Sequence, residues 1–275
     1  MTDGIRVAGI RFELLGPLRA VRPDGDVPLG PPLQRSVLAV LLHQDGAAMP
    51  YDSLVEAVWG AEPPARARTL VQKYVSGLRH ALAFGPGAGK PGAAPELAWT
   101  GRGYRLAGAA IDDLRERQAL LRAAGSAREA GDLRGAGELA VRAEALWRGA
   151  YAEGLAGPYL EAERRRWAED RLRASEARLE GEIERGRSAA CVDELTRLVA
   201  AHPLRERAAG LLVRALQQGA RPAEAPAAQE EAPAAYEEAR AGVVGARGPG
   251  VAPGARPGDV RHRDPAPRPG SLPAA

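Results

Sequence analysis

The chain has 275 residues and a formal net charge of +3, enough length for one large core or two modest ones. Its one cysteine, Cys191, lies in the helical pattern "AACVDELTRLV" and excludes an internal disulfide and a multi-cysteine metal site. The opening "MTDGIRVAGIRFELLGPL" lacks the basic start and apolar run of a signal peptide, and no stretch is apolar for long enough to cross a bilayer, so a soluble cytoplasmic protein is expected.

"IRFELLGPLRAVR" (10–22) predicts two short strands broken at Gly16-Pro17, and "DGDVPLG" follows with a turn at Asp24-Gly25. "PPLQRSVLAVLLHQDG" (31–46) predicts a helix opened by Pro31 and Pro32, buried along Leu33, Val37, Val40 and Leu41, and closed at Asp45-Gly46. "YDSLVEAVWG" (51–60) predicts a second helix, with Trp59 as a core anchor, and "AEPPARA" a proline-stiffened loop. A third helix is expected at about 68–83. "FGPGAGKPGAAP" (84–95) is a flexible connection; Phe84 and Pro91 stand where a Walker loop needs Gly and Ser or Thr, so it is no phosphate loop. "ELAWTGRGYRLAG" (96–108) predicts a β-hairpin with a basic tip at Arg102. Strands, three helices and a hairpin are the order of a winged helix-turn-helix.

From Ile111 helical patterns dominate, at about 112–130, 132–148, 158–185, 188–201, 204–219 and 222–241. Helix pairs of about 34 residues suggest tetratricopeptide-like hairpins, stacked to leave a concave surface. The dense "EAERRRWAEDRLRASEARLEGEIER" (161–185) alternates acids and arginines at helical spacing and reads as a salt-bridged, solvated face. "EAPAAQE" and "EAPAAYE" duplicate a segment whose Pro226 and Pro233 oppose an unbroken helix. The last 34 residues hold seven Pro and seven Gly without apolar periodicity and are expected to be disordered.

Charge is uneven. Residues 66–105 hold seven Arg or Lys and one acid, Glu96, whereas 112–240 hold 21 basic and 24 acidic residues. A basic stripe confined to one short segment is expected where that segment meets a polyanion. Within it, "TLVQKYVSGLRHAL" (69–82) is two-faced: Val71, Tyr74, Val75, Leu78 and Leu82 face one way, and Thr69, Lys73, Ser76 and His80 the other. The outward row can lie along a major groove, with Gln72, Lys73 and Ser76 suited to base edges and Gly77 leaving room for the groove wall. Arg66, Arg68 and Arg79 flank it as phosphate grips, and Arg102 at the hairpin tip is placed for the minor groove. Tyr104 and Arg105 either brace the backbone or, for Tyr104, belong to the core. Gln34 and Arg35, at the start of the first helix, either add phosphate contacts or are idle.

The motifs "RFELLGPLRA", "LVEAVWG", "TLVQKYVSGLRHAL", "GRGYRL", "EALWRG", "HPLRER" and "AYEEARA", in this order from about 11 to 241, resemble the streptomycete antibiotic regulatory protein (SARP) family of transcriptional activators. The resemblance implies an α+β, OmpR-like winged helix-turn-helix (1–108), an all-α tetratricopeptide-like bacterial transcriptional activator domain (109–241) and a tail (242–275). It implies binding of double-stranded DNA at direct repeats near a promoter, by head-to-tail copies, and recruitment of RNA polymerase holoenzyme through Glu62, Pro63, Pro64 and Ala65. It also implies a nucleoid-associated, pathway-specific regulator of secondary metabolism with no cofactor. Two other classes compete. An enzyme would need a metal-spaced His/Cys set, a nucleophile elbow or a phosphate loop, and the sequence contains none. A helical-repeat adaptor that has lost DNA binding would show weak salt dependence.

Overall fold

The computed structural model describes residues 9–83 and 95–219. The expected final helix at 222–241, the duplication and the Pro/Gly-rich tail lie outside the described residues, as does nearly all of the 84–95 connection.

The N-terminal unit opens with β1 (Arg11–Glu13), β2 (Arg19–Arg22) and β3 (Gly25–Asp26). They form an antiparallel sheet in that order, with Phe12 opposite Ala20. Helix α1 (Pro32–Leu42) follows, its prolines at positions whose N–H groups need no partner. It stops four residues before the expected end, because Asp45 and Gly46 take left-handed backbone angles, φ 45° and 85°. Val37 through Leu42 are all buried, so α1 is wrapped on every side, while Leu33 is only half-buried. Strand β4 (Ala48–Pro50) leads into α2 (Tyr51–Trp59) and then α3 (Ala67–Ala83). Strands β5 (Glu96–Trp99) and β6 (Gly103–Ala107) make the hairpin, and β6 sits centrally between β4 and β5. The strand β4 is not foreseen from the sequence: three residues ending in proline carry no alternation, and only pairing with β6 defines them.

The second unit comprises α4 (Asp112–Glu129), α5 (Leu133–Glu144), α6 (Pro158–Glu184), α7 (Ser188–Ala201) and α8 (Glu206–Gln218). Asp132 caps α5 by accepting the Gly135 N–H at 2.8 Å. Helix α5 ends at Glu144 rather than near 148, because the Arg148 N–H leaves the helical pattern to bond the Leu15 carbonyl at 2.7 Å.

That bond belongs to a joint between the units. Leu14 and Leu15 are fully buried. Their N–H groups donate to Asp113 at 3.0 and 2.7 Å, and the Phe12 N–H donates to Asp112 at 2.8 Å. The Ala152 N–H reaches the Leu14 carbonyl at 3.0 Å. Arg164 of α6 donates to the carbonyls of Tyr151, Ala152 and Leu155, holding the 148–155 segment against the first unit. One hydrophobic core therefore runs from Phe12 to Trp167 across the joint, and a second lies among Leu179, Ile183, Cys191, Val192, Leu195 and the buried face of α8.

The charged stretch 161–185 is salt-bridged as expected, but its charges are less solvated than that pattern suggests. Arg173 pairs with Glu169 within α6, whereas Arg171 reaches Glu144 of α5, Arg178 reaches Glu194 of α7, and Arg205 binds Glu169 and the buried Glu176. Most of these pairs stitch helices together rather than merely facing water.

Candidate nucleic-acid interface

Helix α3 buries Val71, Tyr74, Val75, Leu78 and Leu82, the five positions expected from its period. Thr69, Gln72, Lys73, Ser76, Arg79 and His80 are exposed, as are Arg66 and Arg68 at its entry. Two arginines fix the helix at its C-terminal half. Arg22 of β2 donates to the carbonyls of Ala81 and Leu82 at 3.1 and 2.8 Å, a cation at the negative end of the helix dipole. Arg79 donates Nε–H to the Leu97 carbonyl of β5 at 2.7 Å, tying α3 to the hairpin. Arg68 lies over the Tyr51 ring at 5.1 Å from its centroid.

The hairpin tip is the four-residue turn Thr100–Gly103. The Thr100 N–H donates to the Gly103 carbonyl at 2.9 Å, and Gly101 takes φ 86°, which suits a first central glycine. Arg102 is exposed beside it, and its carbonyl accepts the Tyr51 N–H at 3.0 Å, so the tip is moored to the start of α2. Gly103 is required by contact: a Cβ there would fall 1.9 Å from the Met49 carbonyl oxygen. Arg105 is exposed on the same hairpin.

Three sequence expectations change here. Tyr104 is buried against Met49 and Trp99, which makes it core, the alternative left open, and not a brace for a DNA backbone. Gln34 turns inward, donates to the Leu29 carbonyl at 3.0 Å and is buried, so it is no phosphate ligand. The role of Gly77 follows from Gln34: a Cβ on Gly77 would meet Gln34 Oε1 at 2.5 Å, so this glycine admits an internal side chain and not a groove wall. Arg35 stays half-buried, its Nε enclosed without a hydrogen-bond partner.

Arg66, Arg68, Lys73, Arg79, Arg102 and Arg105 are all exposed, and none forms an ion pair with any described residue. In the helical unit most arginines are neutralised by a carboxylate, although Arg122, Arg142 and Arg165 are exposed and form no ion pair with any described residue. Residues 62–65 form an exposed loop; the Pro64 carbonyl accepts the Ala67 N–H at 2.8 Å and turns the chain into α3. At the root of that loop, Gly60 approaches Pro158, the first residue of α6. Among the described residues no group of His, Cys, Asp and Glu is placed to hold a metal, and no helix is long and apolar enough to cross a membrane.

Residues 112–242 match the bacterial transcriptional activator domain. The chain is 42% identical to the regulatory protein AfsR of Streptomyces coelicolor over 218 residues, which cover 78% of this chain and 21% of AfsR. It thus spans about a fifth of that relative's length. The regulatory protein DnrI of Streptomyces peucetius is 31% identical, over 78% of this chain and 80% of DnrI. The solved structure of Mycobacterium tuberculosis EmbR in complex with a low affinity phosphopeptide superposes with a TM-score of 0.69 at 32% identity, covering 89% of this chain and 62% of that one. Similarity of this depth, across both units and over most of DnrI, places the chain in the SARP family of transcriptional regulators.

Proposed function

We propose that the chain is a sequence-specific DNA-binding activator, and that residues 1–108 and 109–241 act respectively as winged reader and tetratricopeptide-like, protein-contacting body. In this reading Gln72, Lys73 and Ser76 face base edges in the major groove, with Thr69 and His80 at the ends of the row. Arg66, Arg68 and Arg79 grip phosphates, Arg102 enters or flanks the minor groove, and Arg35 stands by as a backbone contact. The loop 62–65 meets RNA polymerase, and copies bind direct repeats head to tail near promoters of secondary metabolism. The protein works in the cytoplasm at the nucleoid and catalyses no reaction.

The carrying observation is the set of six exposed cations on α3, its entry and the hairpin that have no carboxylate partner among the described residues. Exposed cations gathered on one helix, its entry and the adjoining hairpin, with no carboxylate among the described residues to neutralise them, are ready for phosphates. The test is fluorescence anisotropy against a duplex enriched from a random pool, titrated over salt. Affinity should fall steeply with salt, K73A should lose more on the enriched duplex than on random DNA, and R79A should lose about equally on both. Weak, salt-insensitive binding would leave the adaptor reading in possession.

A further inference from the structure

Trp99 is the last residue of β5 and directly faces Tyr104 across the hairpin. Its ring meets the Tyr104 ring edge-on, with centroids 5.0 Å apart, yet 49% of the residue remains open to solvent. Leu97, two residues earlier on the same face of β5, is buried, so strand alternation aims Trp99 at the core and the core ends before it arrives. The surroundings say what the open half faces. Two residues back, the Leu97 carbonyl holds Arg79 of α3; three residues on, Arg102 stands at the hairpin tip. The first step is about 7 Å along the strand, and the second runs into the tight turn Thr100–Gly103. Along the chain Trp99 therefore stands between the strand position that holds Arg79 of α3 and the exposed Arg102 of the tip.

We propose that Trp99 is a DNA-contacting residue of the wing: its indole packs on the deoxyribose-phosphate wall of the minor groove beside the α3 site, between the phosphates held by Arg79 and Arg102. This rests on the winged-reader assignment and adds to it an apolar, sequence-tolerant contact among the cations. A deoxyribose edge offers C–H groups to an aromatic face, and the indole N–H donates to a phosphate oxygen. Tyr104 beneath keeps the ring in place, so little side-chain freedom is lost on binding.

The experiment compares wild type, W99A and W99F on the enriched duplex and on random DNA, across salt. The exposed half of an indole is about 100 Å² of apolar surface, part of which a groove wall covers, so W99A should weaken binding about tenfold on both duplexes. No charge is removed, so the slope of log affinity against log salt should stay that of wild type, whereas R102A should flatten it. W99F keeps an aromatic ring over Tyr104 and should lose a smaller factor. The other three tryptophans are half-buried or buried, so DNA should shield wild-type emission from acrylamide and leave that of W99F nearly unchanged. If W99A and W99F bind as wild type does, or DNA gives Trp99 no protection from quencher, the proposal is overturned while the α3 assignment stands. If wild type shows no salt-dependent affinity for any duplex, the winged-reader assignment itself has failed.

Discussion

The joint between the two units should depend on Asp113 far more than on its neighbour Asp112. Asp113 is buried, its Oδ1 accepts the N–H groups of Leu14 and Leu114 at 3.0 and 2.9 Å, and its Oδ2 accepts that of Leu15 at 2.7 Å. Asparagine has the same shape but one acceptor oxygen. In D113N an amide NH2 would face the Leu15 N–H, leaving two buried donors opposed, at about 1–3 kcal/mol each. Against this, burial pushes the Asp113 carboxyl up, outweighing the pull of the Leu15 and Leu14 N–H groups and of Arg148, so removing the charge relieves a desolvation cost. The net expectation is a loss of about 2–3 kcal/mol. Asp112 accepts a single, part-buried N–H from Phe12, so D112N should cost about 1 kcal/mol. Urea unfolding followed by far-ultraviolet circular dichroism reads the difference: with m of about 2–3 kcal/mol/M, D113N lowers the midpoint by about 1 M at unchanged slope. Hydrogen exchange supplies the local readout, since the Leu14 and Leu15 amides should lose protection in D113N and keep it in D112N. Equal midpoints for the two variants, with both amides still protected, would refute the assignment of the joint to this carboxylate.

His43 makes the same joint sensitive to acid. Its Nδ1–H donates to the Ala39 carbonyl at 2.7 Å, and its Nε2 accepts the Tyr151 hydroxyl at 2.7 Å, an arrangement of the neutral ring. Burial lowers its pKa below 6.5, against the Ala39 carbonyl and Glu163, with Arg166 reinforcing the fall and the Tyr159 ring packed edge-on. A depressed folded value means stability is complete above 6.5 and is lost as pH falls from there toward the folded value; thermal melts should show this slope, and H43Q should flatten it. Replacing Gly103 by alanine forces β4 from β6, since a Cβ would lie 1.9 Å from the Met49 carbonyl oxygen; the expected cost of about 3 kcal/mol lowers Tm by roughly 10 °C in scanning calorimetry. Arg22→Ala uncaps α3 and should cost about 1–2 kcal/mol, with faster amide exchange confined to the helix's last turn.

Wherever a residue's role depends on its own helix, the sequence is a sufficient guide. The buried stripe of α3 and its exposed row follow from a period of 3.6, and the hairpin tip from two glycines around Arg102. Contacts across long separations leave no such trace. Nothing near Gly77 says that Gln34 fills its place, 43 positions earlier, and a polar side chain at a helix start looks the same whether it turns to water or to a buried carbonyl. The alternation of β5 correctly sends Trp99 inward but cannot say that the core runs out there. Asp112-Asp113 reads as ordinary acidic enrichment of a helix's first turn; only the arrival of the Phe12, Leu14 and Leu15 amides turns it into a clasp.

Helix α6 shows why a charged pattern can carry a structural load. Its 27 residues span about 40 Å, yet few apolar ones are buried: Leu160 and Trp167 near one end, Leu179 and Ile183 near the other. A helix this polar has no single apolar face, which is the expected form for an element bridging two cores and not lying on one. Between its ends the helix relies on charge: Asp170 takes the buried Arg117 at 2.5 Å, and Glu169 and Glu176 take Arg205 at 2.6 and 2.8 Å. Such pairs fix orientation more than they add stability. Arg178 and Arg205 thereby hold α7 and α8 in a set direction relative to α6, while the arginines of α3 and the hairpin have no carboxylate partner among the described residues. One abundant side chain is thus divided between internal struts in the helical unit and an open, cationic surface on α3 and the hairpin.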